Sequence, residues 1–390
     1  MKRITAFLLL CLFVLSITPL TAQSPNEPPL LLTANGEIYK WENGEVIQLE
    51  TGEGYSYTPD YSPDGTQFVY RTWSQLTSDF ADANRDESGN FFWEGELPTD
   101  IAIYDLATGE IMVVATQPTE ADTETLLGAI RRSAPKWSPD GTLLAWTEVI
   151  PTMDENQNFT EVYQLVVYDI ATATSKVLTT DLPPAMVYSI PHSVEWGANG
   201  IYMNFFEYDN SSAVNTYLLF SPTGEIQFRV PFVSDVDNIP PVASFVAQFN
   251  DKEVYALYYG AGMLRLIDET GAIEEITAAA PQRYNAQTPI GLANLMIIVN
   301  DPMQNMWEIY VTDPNTQLQT LLTDTVYGVN QLQVSPDGAS VAFIEPMTGV
   351  VNIWNNLTVT PIPSPLDSLG NTLYINELTW GKQAIRVLQS

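Results

Sequence analysis

The chain has 390 residues, of which 45% are hydrophobic, and its 47 acidic and 15 basic residues give a formal net charge of -32. This length is enough to bury a large core, and so acidic a surface excludes nucleic acid and anionic membranes as favourable partners. The single cysteine, Cys11, lies in an N-terminal apolar segment, and removal of that segment would leave no thiol for a disulfide, a zinc–thiolate site or a cysteine nucleophile.

The N-terminal segment has the pattern of a secretory signal. Met1-Lys2-Arg3 is basic, residues 4–20 carry no charge, and small residues follow up to Ala22. We expect a signal peptide over residues 1–22, a short Pro-rich linker over 23–29 and a single folded domain over 30–390. The protein would then be secreted or periplasmic, with no membrane insertion after cleavage. The alternative is an uncleaved signal that anchors the protein in the membrane.

Three later segments, at residues 61–70, 137–146 and 334–343, share the sequence Ser-Pro-Asp-Gly followed by β-branched, aromatic or other apolar residues. Proline presets φ at the second position of a turn, aspartate tolerates the third, and glycine takes the left-handed conformation that follows. Each segment therefore predicts a tight turn between two antiparallel strands.

Weaker copies of this hairpin recur along the chain, at residues 194–202, 245–255, 290–299 and 378–387. Turns of the type Tyr-Asp-Leu-Ala-Thr or Tyr-Asp-Ile-Ala-Thr follow at residues 104–108 and 168–172, and they predict a third and a fourth strand. Four strands in a repeat of about 44 residues are typical of a propeller blade.

The motifs resemble the WD40-like repeat of TolB and its relatives, over nearly the whole chain from about residue 30. The resemblance implies an all-β fold with a single β-propeller domain. Counting the hairpins of this sequence predicts seven four-stranded blades, although six or eight also fit the count. It implies little about activity, because this repeat serves binding modules and enzymes alike. TolB has an extra domain before its propeller, whereas here only residues 24–29 separate the signal from the first strand. We therefore expect a relative of TolB and not TolB itself.

Six blades are predicted to start near Tyr57, Pro135, Ser193, Ser244, Pro289 and Gln331. The seventh is predicted to be composite. The last hairpin, residues 376–388, would supply its two inner strands, and residues 36–41 and 45–49 its two outer strands, while residues 30–33 have no assigned place. Such closure pairs the chain ends and removes an exposed sheet edge.

Irregular spacing of the turn glycines indicates insertions in the first three blades. Gly65 and Gly141 are 76 residues apart, and Gly141 and Gly200 are 59 apart. The insertions fall at residues 73–98, 150–161 and 207–215, each between a second and a third strand. Because these connections emerge on one face of a propeller, we expect one contiguous rim that binds a partner.

Two sets of residues in this rim are candidate sites. Aromatic side chains that could bind a partner are Trp73, Phe91, Phe92 and Trp93; the alternative is that they hold the insertion onto the blade below it. Side chains with the alternating oxygen pattern of calcium loops are Asp82, Asn84 and Asp86 in the first insertion and Asp154, Asn156 and Asn158 in the second. The alternative for these is an acidic loop without a ligand.

Catalytic groups are few. His192 is the only histidine, and no Gly-x-Ser-x-Gly sequence is present. We therefore predict an exported, monomeric binding or scaffold protein and not an enzyme, with a protein or glycan of the cell envelope as its partner. The alternative function is a carboxylate-based polysaccharide hydrolase or lyase, assisted by calcium, because acidic residues alone can support that chemistry.

Overall fold

A computed structural model gives the structure of most of the chain. The residues that it describes are 28–91, 96–180, 182–184, 190–209, 212–232, 243–259, 263–277, 284–289, 295–301, 306–312, 319–325, 330–336, 340–345, 348–355, 358–381 and 386–388.

The described residues form antiparallel sheets in which Val, Ile, Tyr, Phe and Trp, the residues that favour strands, dominate. The N-terminal strands are β1 (Leu30–Ala34), β2 (Glu37–Glu42) and β3 (Glu45–Gln48). Blade one contains β4 (Ser56–Tyr61), β5 (Gln67–Trp73), helix α1 (Gln75–Ala83), β6 (Thr99–Asp105) and β7 (Ile111–Ala115). Blade two contains β8 (Arg131–Arg132), β9 (Lys136–Trp137), β10 (Leu143–Met153), β11 (Phe159–Asp169) and β12 (Thr174–Thr179).

The remaining blades are more regular. Blade three contains β13 (Val194–Gly197), β14 (Gly200–Asp209), β15 (Ser212–Phe220) and β16 (Ile226–Phe232). Blade four contains β17 (Ala243–Phe249), β18 (Lys252–Tyr259), β19 (Met263–Asp268) and β20 (Ile273–Thr277). Blade five contains β21 (Tyr284–Pro289), β22 (Leu295–Asp301), β23 (Met306–Thr312) and β24 (Gln319–Thr325), and blade six contains β25 (Asn330–Val334), β26 (Ser340–Ile344), β27 (Val351–Asn355) and β28 (Thr358–Pro361). The last strands are β29 (Ile375–Thr379) and β30 (Arg386–Leu388).

These strands form the predicted β-propeller. Six blades are built from consecutive strands, and the seventh sheet has the order β29-β1-β2-β3, which joins the two ends of the described chain. The first strands of the blades are innermost: β4 contacts β9 and β29, β13 contacts β9 and β17, and β29 contacts β25. These contacts place the first strands around a central channel.

The composite blade takes one strand from the C-terminal part of the chain and three from the N-terminal part, whereas two from each were predicted. The C-terminal part supplies only the innermost strand, and β1 takes the second position, with Leu32 opposite Leu378. All five residues of β1 are buried, which explains why it is an interior strand. β30 lies against β17 of blade four instead. A smaller difference is that blade five begins at Tyr284, five residues before the predicted start.

Apolar side chains fill the spaces between neighbouring blades. Leu31 and Ile38 of the composite blade pack against Tyr61, Phe68 and Tyr70 of blade one. Equivalent clusters join blades one and two, two and three, three and four, and six and the composite blade. The core is therefore a ring of sheets packed face to face, in which both faces of a blade are covered by its neighbours.

The Ser-Pro-Asp-Gly hairpins have the predicted turn chemistry. The Ser62 hydroxyl donates to Asp64 Oδ1 (2.6 Å), and the N–H of Thr66 donates to the same oxygen (3.1 Å). The Ser62 hydrogen bond lowers the pKa of Asp64. In the next blade Gly141 has φ = +73°, and a Cβ there would lie 3.3 Å from Cδ of Pro63. Glycine is needed at this position both for the left-handed backbone and for contact with the neighbouring turn.

The strand directions define two faces. Turns between first and second strands, such as residues 62–66 and 138–142, emerge on what we call the turn face. Connections between second and third strands, and those from a fourth strand to the next blade, emerge on the opposite side, the insertion face. All three predicted insertions lie between second and third strands, on the insertion face.

Candidate functional site

The first insertion contains the helix α1, which is fixed to blade one at its start. Ser74 is the N-cap, and its side chain accepts a hydrogen bond from the N–H of Thr77 (3.2 Å). The Thr77 hydroxyl in turn donates to the carbonyl of Pro98 (2.5 Å), where the insertion ends. The first bond satisfies one N-terminal N–H of the helix, and the second closes the base of the insertion.

A further insertion, residues 116–130, connects β7 to blade two on the same face. Its side chains Ala121, Leu126 and Ala129 pack against Phe80 of α1. The N–H of Gly128 donates to the carbonyl of Pro151 in β10 (2.9 Å). This connection therefore links the helix to blade two. The connection at residues 116–130 was not predicted from the sequence, although the 76 residues between Gly65 and Gly141 leave room for a second insertion.

The second and third predicted insertions are extensions of hairpins. β10 and β11 pair over 11 residues each, as far as Met153 opposite Phe159. β14 and β15 pair as far as Asp209 opposite Ser212. Longer strands carry these two hairpins beyond the blades, on the same face of the propeller as α1.

The candidate aromatic side chains contact one another. Trp73 is half-buried, with its ring 4.4 Å from that of Tyr55 and 6.1 Å, edge to face, from that of Phe91. Phe91 also meets the buried ring of Phe80 edge to face at 6.1 Å. Such pairs fix the insertion on the blade while leaving part of Trp73, Tyr55 and Phe91 accessible. Phe92 and Trp93 lie outside the described residues.

The first candidate calcium loop follows α1. Asp82 lies in the helix and pairs with Arg85 (2.9 Å), and Asn84 is the C-cap, with its side-chain amide donating to the carbonyl of Phe80 (2.8 Å). Asp86 Oδ1 accepts the N–H groups of Ser88 and Asn90 (both 2.8 Å). These bonds lower the pKa of Asp86, the N–H of Asn90 contributing most. Calcium binding here would have to replace or share them.

The second candidate loop closes the long hairpin of blade two. Asp154 Oδ1 accepts the N–H groups of Asn156 and Asn158 (both 2.8 Å), and its Oδ2 accepts the side-chain amide of Asn158 (2.9 Å). The Asn158 side chain lowers the pKa of Asp154 most. The same Asp-x-x-x-Asn arrangement recurs in residues 367–371. Within the described part of the chain, no three histidine, cysteine or acidic side chains are grouped as metal ligands.

Exposed large apolar side chains are confined to two places. One group lies on the outermost strands: Ile47, Ile111, Met112, Val113, Val177 and Ile226. The other group lies on the insertion face: Tyr55, Met153, Phe159, Leu366, Leu369 and Tyr374. Among the described residues none lies on the turn face. The insertion face is therefore the end of the propeller that offers apolar contacts.

On the insertion face, one group of exposed apolar side chains lies at the tip of the blade-two hairpin. Met153 and Phe159 lie opposite each other and are 53% and 54% exposed. The second cluster, Leu366, Leu369 and Tyr374, lies in the connection from blade six to the composite blade, and Leu369 is 85% exposed. Apolar side chains presented at raised tips favour contact with another molecule.

The insertion face is also acidic. The segments 74–91, 116–130 and 151–161 contain one basic residue, Arg85. Their exposed acidic side chains are Asp79, Asp82, Asp86, Glu87, Glu120, Asp122, Glu124 and Glu155. A partner of this face should therefore be neutral or basic around its apolar contacts.

Carboxylates along the central channel bind the backbone of neighbouring blades. Asp60 of β4 accepts the N–H of Trp137 in blade two (3.1 Å). Glu377 of β29 accepts the N–H of Thr58 in blade one (2.8 Å). Glu253, at the start of β18, accepts the N–H groups of Ala198 and Asn199 in blade three. We call these contacts inter-blade clasps; they give these three acids a structural role.

The channel encloses a cavity of about 620 Å³ near the turn face. Nζ of Lys136 lies 3.8 Å from Asp60 Oδ1 and 3.4 Å from Glu195 Oε1, so one cation bridges two acids in its wall. Trp137, Trp196 and Phe245 supply apolar wall. The cavity has the size of a small-ligand site, and much of its polar lining is already paired.

His192 is buried between two blades. Its ring lies between those of Tyr163 and Phe205 at 5.5 and 5.4 Å, and Nε2 lies 2.7 Å from the carbonyl of Pro183, to which it donates. Burial lowers the pKa of His192. Among the described residues, this environment is that of a buried core side chain.

Comparisons with known proteins support the fold. No protein-family model matches the sequence, and no curated protein sequence matches it. An oligogalacturonate lyase from Vibrio parahaemolyticus is 11% identical, with a TM-score of 0.50 over 87% of this chain and 88% of that one. TolB from Acinetobacter baumannii is 14% identical, with a TM-score of 0.41 over 93% and 69%.

A third solved structure, an acylaminoacyl peptidase, is 14% identical with a TM-score of 0.49 and covers 80% of this chain. This chain spans 46% of the length of that peptidase. At these identities the likeness shows a β-propeller fold and no activity. Separately, no helix among the described residues is long and apolar enough to cross a membrane.

Proposed function

We propose that this protein is an exported, non-catalytic binding or scaffold module that holds a partner on its insertion face. The observation that carries the proposal is the one-sided distribution of exposed apolar side chains. Apart from those on outermost strands, every described one lies on the insertion face. Binding residues are disproportionately found on connections that a rigid scaffold positions, and the insertion face has such connections.

A protein is the favoured partner over a glycan. Half of the six exposed apolar side chains on this face, Met153, Leu366 and Leu369, are flexible and not aromatic, which suits an apolar protein surface, whereas sugars are usually bound by aromatic faces alone. The surrounding acids favour a partner with basic residues at the edge of its contact. The half-buried ring of Trp73, which lies 4.4 Å from that of Tyr55 at an angle of 36°, would extend the contact from blade two to blade one.

The test compares two double variants in pull-downs from envelope extract. In one, Met153 and Phe159 are changed to Ser; in the matched control, Val177 and Ile226, which are 44% and 53% exposed on outermost strands, are changed to Ser. We expect the first variant to lose a protein that wild type and control both recover, identified by mass spectrometry. Equal recovery by all three proteins would exclude the blade-two tip as the contact.

Location outside the cytoplasm belongs to the same proposal and rests on the sequence of residues 1–22. N-terminal sequencing of protein from the periplasmic or culture fraction should begin at Gln23. Recovery of full-length protein in the membrane fraction would instead support the uncleaved anchor.

The second candidate, a carboxylate-based polysaccharide hydrolase or lyase, is favoured by one observation, the channel cavity with its acids and tryptophans. It is the weaker candidate because Asp60 and Glu253 are held in inter-blade clasps. Incubation of purified protein with a panel of polysaccharides, with and without calcium, distinguishes the two. Turnover that depends on Glu195 would replace the binding function by this one.

A further inference from the structure

Two layers of stacked side chains lie at the insertion-face end of blade one. In the inner layer, the guanidinium of Arg71 lies over the ring of Tyr57, 4.5 Å from its centroid, and the two residues are opposite each other in β5 and β4. The outer layer is formed by Tyr55 and Trp73, whose rings are 4.4 Å apart. The N–H of Trp73 donates to the carbonyl of Tyr55 (2.9 Å), so the chain still pairs at this level. Because alternate residues of a strand share a face, the outer layer continues the inner one toward solvent.

The outer pair is fixed in place and still accessible. Tyr55 is 42% exposed and Trp73 is half-buried. The ring of Phe91 meets that of Trp73 edge to face at 6.1 Å. A Cβ at Gly36 would lie 1.9 Å from Cδ1 of Tyr55, so glycine at this position lets the tyrosine ring pack against the composite blade. Rings that are held before binding lose little freedom when a ligand stacks on them.

The surroundings of the pair are acidic. The connection that carries Tyr55, residues 49–55, contains the exposed Glu50 and Glu53 and no basic residue. In residues 74–91 the one basic residue is Arg85, and its Nε lies 2.9 Å from Oδ1 of Asp82. The faces of aromatic rings are electronegative as well. The rings and the carboxylates therefore favour the same kind of group, a cation.

We propose that Tyr55 and Trp73 form the subsite for an arginine side chain of the protein partner, an inference that rests on the proposed function. Arginine suits the pair better than lysine because its guanidinium is planar, weakly hydrated and able to stack on aromatic rings. The chain already contains such contacts, since Arg71 lies over Tyr57 and the guanidinium of Arg265 lies 4.0 Å from the centroid of Phe232. The arginine of the partner would add a third layer to the stack, and the glutamates of residues 49–55 would attract it as it approaches.

The first experiment uses the side chain without the partner. Saturation-transfer NMR compares Nα-acetyl-arginine amide with Nα-acetyl-lysine amide, each at millimolar concentration with the purified protein. We expect the arginine compound to give at least about twice the signal of the lysine compound. Tyr55→Leu and Trp73→Leu should each remove this difference, whereas Tyr55→Phe, which keeps the ring, should preserve it. The control with Val177 and Ile226 changed to Ser should behave as wild type.

The comparison of the two compounds needs only the wild-type protein, so it holds even where a leucine variant does not fold. Equal signals from arginine and lysine amides with wild type would overturn the proposal. So would an arginine signal that remains unchanged in Tyr55→Leu and Trp73→Leu.

The second experiment uses the protein that wild type recovers from envelope extract. Tyr55→Leu should lower its recovery about threefold, and Tyr55→Phe should leave it unchanged. If the Met153 and Phe159 double variant loses this protein but Tyr55→Leu recovers it fully, the proposed function stands and the arginine subsite is wrong. If neither variant loses a protein, the proposed function is wrong, and the arginine subsite falls with it as a partner contact.

Discussion

The inter-blade clasp made by Glu253 should contribute substantially to stability, and the variant Glu253→Ala tests this. Glu253 is 6% exposed, and its carboxylate accepts the N–H of Ala198 (2.6 Å), the N–H of Asn199 (2.9 Å) and the hydroxyl of Tyr202 (3.0 Å). Burial raises the pKa of Tyr202, and the charge of Glu253 raises it further, so this hydroxyl remains a donor.

The expected loss in the free energy of unfolding follows from these three hydrogen bonds. A net hydrogen bond to a charged group stabilises by about 1.5–3 kcal/mol, and a buried donor left without a partner costs about 1–3 kcal/mol. Ala198 is exposed, so water can replace the carboxylate at that N–H, whereas Tyr202 is fully buried. We therefore expect Glu253→Ala to lower the free energy of unfolding by about 3 kcal/mol, and Glu253→Gln, which keeps one acceptor, by about half as much.

The measurement is urea denaturation followed by tryptophan fluorescence and circular dichroism, with Glu274→Ala as the control. Glu274 is an exposed acid in the same blade, so its removal should change the free energy of unfolding by less than about 0.5 kcal/mol. If Glu253→Ala were as stable as this control, the clasp would not be holding blades three and four together, and the structural role given to the channel acids would be wrong.

Three further predictions concern other parts of the ring. Because burial lowers the pKa of His192 below its usual 6.5, the unfolded state binds the proton first; stability should fall as the pH drops below about 6.5, and His192→Gln should flatten that dependence in thermal melts between pH 7 and 5. If the loop at Asp154 binds calcium, millimolar calcium but not magnesium should raise Tm, and Asp154→Ala should abolish the rise; no shift in wild type would end that hypothesis. Glu377→Gln weakens the clasp to Thr58 that helps to close the ring, so it should lower the free energy of unfolding in urea by about 1 kcal/mol; an unchanged value would show that this clasp does not contribute.

The propeller could be predicted from the sequence because its strongest signals are local. In the hairpin that begins at Ser62, the serine, the aspartate and the following threonine bond within five residues, so the turn specifies itself wherever the motif is complete. The positions of the three predicted insertions followed from the distances between successive turn glycines.

The contents of the insertions could not be predicted as reliably. A single distance between Gly65 and Gly141 combined two insertions, and only the one before β6 was recognised. The connection at residues 116–130 has no turn motif of its own, and it is held by contacts to Phe80 and Pro151 that come from two different insertions. The exposed pair Met153 and Phe159 was not predicted either. The alternation of apolar and polar residues along a hairpin does not reveal which strands extend beyond the blade.

Ring closure was predicted in kind but not in detail, because the pairs that decide it are far apart in the chain. Leu32 pairs with Leu378, and no local pattern distinguishes this arrangement from a hairpin at the C-terminal end. The apolar run of residues 30–34 was a usable signal: a strand buried on both faces belongs inside a sheet, next to the innermost strand.

The turn of blade three shows why a count of complete turn motifs gives fewer blades than the structure contains. Residues 197–200 have lost the serine and the aspartate that hold the complete turns together, and a carboxylate from blade four takes over that task. A Cβ at Gly197 would lie 2.4 Å from Glu253 Oε1, so glycine is required there to admit the acid, although its backbone is not left-handed. Nothing near residue 197 in the sequence indicates this, because the acid lies more than 50 residues away. A blade can therefore lose its own turn motif as long as its neighbour supplies the missing acceptor, and in blade three Glu253 is that acceptor and part of the framework.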